Sequence, residues 1–306
     1  MKHLLKLSAL TPAELTHILD VADQLKAQQA AGGTPPLLAG KSVALMFSKA
    51  STRTRASFAV GVGQLGGMGH YMNAATELQS VGGEPLRDTA RALGRYYDCV
   101  VWRTYRQADL EEFASYAGVP VINGMTDYAH PCQVLADLMT IRERKARLEG
   151  LKMCFIGDGN NMVNSLIVGC LKVGMEVSVA CPEGYDPHPD VLAFAREAGH
   201  GFSLVRDPLE AAAGVDVVFT DVWASMGQEE EAAQRRAAFR GYQVNEALMA
   251  VTDPSCMVQH CLPAHRGEEI TAEVFEAHAG EIFDEAENRL HAQKAVLCLL
   301  MGEDAR

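Results

Sequence analysis

Basic charge is scarce in this chain: 27 lysines and arginines stand against 39 aspartates and glutamates, a net charge of -12. Nucleic acids and anionic membrane surfaces reward a basic face, so the balance argues against both as general partners. Any anion site must be a local basic pocket. Long apolar runs are also missing, and no stretch approaches the ~20 residues that span a bilayer. The opening Met1-Lys2-His3-Leu4-Leu5 resembles a secretion signal, but Lys6 interrupts it too early. Eight cysteines occur without one Cys-x-x-Cys pair, and several lie in apolar runs. That pattern indicates reduced thiols in a cytoplasmic protein. The sequence shows no internal repeat and no low-complexity segment.

What is present is enough for two cores, since 306 residues exceed one ordinary domain. Thr11-Pro12-Ala13-Glu14 predicts a helix start with a capping residue, proline at the first helical position and a glutamate reaching back. Leu15, Ile18, Leu19, Ala22 and Leu25 form its stripe. The chain is organised around the stretch that follows. Val43 to Phe47 is a short apolar run, the mark of a buried strand, while Phe58, Val62 and Leu65 keep helical spacing. Between them lies Ser51-Thr52-Arg53-Thr54-Arg55. A helix start offers unpaired N–H groups and the positive dipole end, so these hydroxyls and guanidinium forks suit an anion. The competing reading is a solvated basic helix start.

Gly66 to Met72 predicts a turn and a second strand, followed by a polar segment around Gln79 able to reach over a ligand. Pro85 to Tyr97 reads as a helix, and Cys99-Val-Val-Trp102 as a strand ending in Arg103. Ligands gather at the carboxyl ends of such strands, although a surface arginine is the plainer alternative. Pro120 to Gly124 repeats the pattern. His130-Pro131-Cys132-Gln133 then opens a strong helix, Val134 to Ala146, placing His130 and Gln133 at its positive end. The charged run Arg142 to Gly150 is read as a helix leading into the second half.

From Leu151 strands and helices alternate regularly: strands at 153–156, 176–180, 202–205 and 215–219, helices near 161–173, 188–198 and 208–213. This is the pattern of a parallel sheet covered on both faces. Gly157-Asp158-Gly159-Asn160-Asn161 mimics a dinucleotide fingerprint, but Met162 stands where the third glycine should be. Asp221 follows a strand, with Ser225-Met226-Gly227 beyond it; a helix cap is the alternative for Asp221. Cys256 to Pro263 reads as a strand ending in a loop. Successive strand residues face opposite ways, so His260 and Cys261 are expected not to converge on a metal. Ile282 to Arg289 leads into a final helix, Leu290 to Met301, expected to pack back on the first domain and bring Arg289 to the site.

Ser51-Thr-Arg-Thr-Arg55, Arg103, His130-Pro-Cys-Gln133, Gly157-Asp-Gly-Asn-Asn161, Asp221-x-x-x-Ser225-Met-Gly227, His260-Cys-Leu-Pro263 and Glu285-Ala-Glu-Asn-Arg289 occur in the order of the transcarbamoylase family, and the last four resemble its ornithine-using branch. The resemblance implies an α/β fold of two domains, each a doubly wound parallel sheet flanked by helices. The expected domains are 1–147, binding carbamoyl phosphate, and 148–306, binding ornithine, with the last helix at about 286–302 returning to the first. It implies transfer of a carbamoyl group from carbamoyl phosphate to the side-chain amine of ornithine, giving citrulline and phosphate in a crevice between the domains. Ser51, Thr52, Arg53 and Thr54 would take the phosphate, with Gln79 reaching in from a neighbouring subunit. Arg103 and His130 would take the carbonyl oxygen. Gln133, Arg289 and the backbone of Cys261-Leu262 would hold the carbamoyl amide, and Asp221 and Cys261 would flank the amine. Asn161, Ser225 and Met226 would hold the amino-acid end. No metal or redox cofactor is required, and a homotrimer or an assembly of trimers is expected. The alternatives are putrescine or an N-acylated ornithine as acceptor, a nicotinamide-dependent dehydrogenase, or a non-catalytic binding protein on the same fold.

Overall fold

Val43 to Phe47 are all buried within strand β1 (Ser42–Phe47), and a strand buried on both faces needs helices above and below it. A computed structural model of the chain, describing residues 1–78, 83–199, 201–224 and 231–302, supplies these helices. It divides into Met1–Met139 with Asn288–Arg306, and Thr140–Glu287.

The first unit contains α1 (Pro12–Ala30), β1, α2 (Arg53–Gln64), β2 (Met68–Asn73), α3 (Leu86–Tyr96), β3 (Cys99–Arg103), α4 (Gln107–Ala117) and β4 (Val121–Met125). The chain changes unit within α5 (Pro131–Lys145). The second unit contains β5 (Lys152–Ile156), α6 (Asn161–Lys172), β6 (Glu176–Ala180), α7 (Pro189–Ala198), β7 (Phe202–Val205), α8 (Pro208–Ala212) and β8 (Val217–Thr220). It continues through α9 (Ala232–Ala238), α10 (Glu246–Met249), β9 (Met257–His260) and α11 (Ala272–Ala277). Helix α12 (Ala279–Met301) carries the chain back to the first unit.

Thr11 and Glu14 form the capping box that starts α1, a device worth about 1 kcal/mol. In the first sheet Ala44, Met46, Val100, Trp102 and Val121 share one core cluster with Leu110, Phe113, Ala114 and Ala117 of α4. Helix α2, with Phe58 and Val62 buried, packs on β1 and β2. In the second sheet Cys154, Ile156, Val218 and Val258 pack with Ala211 of α8, Leu248 of α10 and Phe275 of α11, and α6 is buried over most of its length.

Both sheets are parallel, in the orders β2-β1-β3-β4 and β7-β6-β5-β8-β9. The chain winds outward from β1 to β2 and then turns to β3 and β4 on the other side. In the second unit it winds from β5 to β7 and then turns to β8 and β9. Each reversal leaves a crevice at the carboxyl ends of the two central strands, where open α/β sheets bind ligands. Register aligns those ends: Phe47 pairs with Arg103 in the first sheet, and Ile156 with Thr220, and Thr220 with His260, in the second. Residues 157, 221 and 261 therefore leave the sheet side by side.

Several expectations are corrected. The charged run Arg142 to Gly150 is not one helix: α5 stops at Lys145 and Ala146 turns with φ 60°. The last helix begins at Ala279, so Glu285 to Arg289 lies inside α12. Helix α4 went unread. Among the described residues no helix is long and apolar enough to cross a membrane.

Candidate active site

In the first unit the loop after β1 and the end of β3 meet at the crevice. Ser48 N–H donates to the Arg103 carbonyl at 2.8 Å, and Trp102 Nε1 donates to Ser48 Oγ at 3.2 Å. Helix α2 begins at Arg53, and the hydroxyl of its N-cap residue Thr52 caps none of its N–H groups. Thr54 is buried, and Arg289, returning on α12, donates from Nη2 to Thr54 Oγ1 at 2.9 Å and from Nη1 to Gln133 Oε1. Gln133 is fixed in turn by its own Nε2, which donates to Asp137 Oδ1 at 2.8 Å one helical turn on. An amide with both ends engaged holds Arg289 in one orientation.

His130 sits just ahead of α5, buried beside this group. Burial first, then Arg289, Arg103 and Arg53, hold its pKa well below the ordinary imidazole value. An acidic protein has thus concentrated three guanidinium groups around one histidine that stays neutral. Such a histidine offers a ring N–H as donor without adding a fourth charge. Arg55 does not join them, against the expectation of two phosphate-facing forks. Two residues along a helix face away from each other, and Arg55 is exposed, 5.0 Å from the Tyr71 ring centroid.

In the second unit Asp221 is buried at the end of β8. Its Oδ1 accepts from Val222 N–H at 2.8 Å and from Cys261 Sγ at 3.1 Å, and its Oδ2 accepts from Asn160 Nδ2 at 2.8 Å. Asn160 also caps α6 by accepting from the Met162 and Val163 N–H groups. Asn161 opens that helix, half-buried. Gly159 is glycine because a Cβ there would lie 2.2 Å from the Asp186 carbonyl carbon. The fingerprint-like spacing thus reflects loop packing against 185–186. Asp158 pairs with Arg235 at 2.9 Å, yet burial outweighs that partner and raises its carboxyl to about 6.

Strand alternation misled the reading of His260 and Cys261. Strand β9 stops at His260 and Leu262 takes φ 57°, so nitrogen, sulfur and carboxylate atoms of His260, Cys261 and Asp221 fall within 4.8 Å of one another. Both ring nitrogens of His260 are engaged: Nδ1 accepts from Leu262 N–H at 2.9 Å and Nε2 lies 3.1 Å from Glu269 Oε1. A metal there would have to displace one of these bonds. The Glu285 carboxylate accepts from His260 N–H at 3.0 Å, which ties α12 to the turn carrying Cys261 and Leu262.

Gln79, Ser225 and Met226, expected at the substrates, lie outside the described residues. Sequence reasoning missed Asn160 as the partner of Asp221, Asp137 as that of Gln133, and Glu269 as that of His260. Only Asp137 had a local signal, the helical spacing from Gln133.

The aspartate/ornithine carbamoyltransferase carbamoyl-P binding domain matches residues 2–143, and the Asp/Orn binding domain of the same family matches residues 149–300. The chain belongs to the aspartate/ornithine carbamoyltransferase family. An ornithine carbamoyltransferase of Carboxydothermus hydrogenoformans is 52% identical over 302 residues, 97% of each chain. The ornithine carbamoyltransferase structure from Pyrococcus furiosus superposes with a TM-score of 0.94 at 49% identity, covering 99% of this chain and 97% of that one. The anabolic enzyme from Campylobacter jejuni gives a TM-score of 0.93 at 39% identity over the whole of both chains. The carbamoyl-P binding match spans β1 to β4 and the Asp/Orn binding match spans β5 to β9. The doubly wound α/β fold and the return of the last helix are shared with these relatives.

Proposed function

We propose that this chain transfers the carbamoyl group of carbamoyl phosphate to the side-chain amine of L-ornithine, giving L-citrulline and phosphate. The observation that carries the reading is the buried His130, whose pKa is lowered by its burial and by the charges of Arg289, Arg103 and Arg53. A dianion with an adjoining carbonyl needs both fixed positive charge and an uncharged donor aimed at the carbonyl oxygen.

Ser51, Thr52, Arg53 and Thr54 bind the phosphate at the start of α2. Arg103 and His130, with Thr54 assisting, donate to the carbonyl oxygen, where negative charge grows as the amine attacks. Gln133, Arg289 and the backbone of Cys261-Leu262 hold the carbamoyl amide. Asp221 and Cys261 receive the side-chain amine, and Asn161, Ser225 and Met226 hold the amino-acid end. The ammonium gives up one proton to solvent by way of Asp221 and Cys261, its nitrogen bonds to the carbonyl carbon, and collapse of the tetrahedral intermediate breaks the carbon–oxygen bond as the second nitrogen proton passes to the departing phosphate. Cys261 donates to Asp221 at 3.1 Å, so it orients the amine or relays a proton, and no covalent step is assigned to it. Positioning two substrates supplies about 7–11 kcal/mol of the barrier reduction.

The assembly we propose is a homotrimer or a multiple of trimers, with Gln79 reaching a neighbour's donor set. Edge strand β2 supports this, because it exposes Met68, Gly69, His70 and Tyr71, an edge that a monomer would be expected to blunt. All eight cysteines are free, which supports a cytoplasmic location, and relatives named anabolic support a role in arginine synthesis. Initial rates of carbamoyl-product formation with ornithine, putrescine and N-acetylornithine test the reading. Ornithine is expected to be preferred; turnover of putrescine or N-acetylornithine alone would replace it.

A further inference from the structure

Helix α12 buries a lysine. Lys294 is 0% exposed, and its Nζ donates to Gln29 Oε1 at 2.8 Å, Thr34 Oγ1 at 3.1 Å and Gln64 Oε1 at 3.1 Å. Three donors meet three acceptors, all of them neutral, and among the described residues the ammonium forms no ion pair. Burial lowers its pKa. An ammonium held this way costs free energy that a methionine of similar volume would not, so space filling does not account for it.

The acceptors come from three separate segments: the end of α1, the loop after it, and Gln64, the last residue of α2. All three converge on one point of α12. Contact there is close, since a Cβ on Gly61 of α2 would lie 3.2 Å from Lys294 Cγ and 3.5 Å from Leu290 Cδ1. Five residues before Lys294, Arg289 reaches Thr54 near the other end of α2. A second lysine acts alongside: Lys26 Nζ donates to Asn288 Oδ1 at 2.8 Å, one residue before Arg289. Two ammonium ties therefore bracket the guanidinium that holds Thr54 and Gln133. Apolar contact tolerates small slips of one helix along another, whereas a fully matched set of hydrogen bonds fixes one placement.

We propose that Lys294 is a positioning residue of the donor site, fixing α12 along α2 so that the Arg289 fork already meets Thr54 and Gln133 when carbamoyl phosphate arrives. This rests on the reading of Arg289 as a carbamoyl phosphate ligand.

The test uses the full chain with Lys294→Met, which keeps the volume and removes the donors. The KM for carbamoyl phosphate is expected to rise about tenfold, while kcat at saturation and the KM for ornithine stay near the parental values. Calorimetry with carbamoyl phosphate in the absence of ornithine should show the same weakening without turnover. Gln64→Leu should act in the same direction, and Gln64→Glu, which retains an acceptor, should restore parental behaviour. If Lys294→Met does not fold, the Gln64 pair decides. Parental KM and carbamoyl phosphate affinity in Lys294→Met, or in Gln64→Leu, would overturn the proposal, as would a fall in kcat alone. A parent chain that neither binds carbamoyl phosphate nor makes citrulline would instead remove the functional reading itself.

Discussion

Replacing Asp221 by asparagine separates charge and acceptor geometry from shape. Among the described residues every partner of Asp221 is a donor: Val222 N–H and the Cys261 thiol on Oδ1, and the Asn160 amide on Oδ2. An asparagine has one acceptor end and one donor end, so in either orientation an N–H faces another donor in a buried place. Losing one such bond and leaving a buried donor unmatched costs about 1–3 kcal/mol, and the charge that holds the acceptor's ammonium disappears with it. If that loss falls on acceptor binding, the KM for ornithine rises about 5- to 150-fold, with a smaller effect on the KM for carbamoyl phosphate, whose ligands apart from the Cys261-Leu262 backbone belong to the other unit. Colorimetric citrulline assays with ornithine varied at saturating carbamoyl phosphate measure this, and thermal unfolding reports the cost to the fold. Parental ornithine kinetics in Asp221→Asn would refute the placement of the amine beside this carboxylate.

Arg289→Met strands Gln133 Oε1 and Thr54 Oγ1, both buried. Leaving these buried acceptors unmatched costs about 1–3 kcal/mol each, so denaturant melts should show lower stability, and with an amide ligand gone calorimetry should find carbamoyl phosphate binding weakened about tenfold. His130 titrates far lower in the folded chain than in the unfolded one. Below about pH 6.5 the unfolded chain takes up a proton that the fold refuses. Stability should therefore fall with decreasing pH in that window and be insensitive to this group above it. Denaturant melts of the parent and His130→Gln at pH 7.5 and 5.5 check the sign: the variant should lose less stability between them. Gly159→Ala would place a methyl 2.2 Å from the Asp186 carbonyl carbon. Overpacking against backbone costs about 1–3 kcal/mol or more, so the melting temperature should drop by several degrees, and the Asn160–Asp221 contact should loosen with it.

Where the sequence alternates cleanly, the fold was legible. The strands and helices from 152 to 220 follow from apolar runs and turn residues, and Thr11, Pro12 and Glu14 announce α1 through local bonds alone. Helix α4 keeps helical spacing at Leu110, Phe113, Ala114 and Ala117, but its N-cap residue, Arg106, makes no side-chain cap bond to mark the start. Helix α12 was read eleven residues short because its early turns bury polar groups. Glu285 and Asn288 face inward to receive the His260 N–H and the Lys26 ammonium, and that hides the amphipathic pattern. The donor residues were legible as motifs, yet the pairing of Arg289 with Thr54 spans 235 positions and has no local trace. The same holds for Glu269 with His260. The convergence of His260 and Cys261 was missed because β9 stops at His260 and Leu262 takes a left-handed conformation, ending the alternation on which the reading relied.

The central claim is that one nitrogen, the side-chain amine of ornithine, takes the carbamoyl carbon while phosphate leaves. Supplying the purified chain with carbamoyl phosphate labelled at its carbon and ornithine labelled at its side-chain nitrogen, and following the mixture by nuclear magnetic resonance, tests this bond directly. The account predicts a one-bond carbon–nitrogen coupling in the product, growing in step with released phosphate. Consumption of carbamoyl phosphate without that coupling, or coupling to the α-nitrogen, would contradict it.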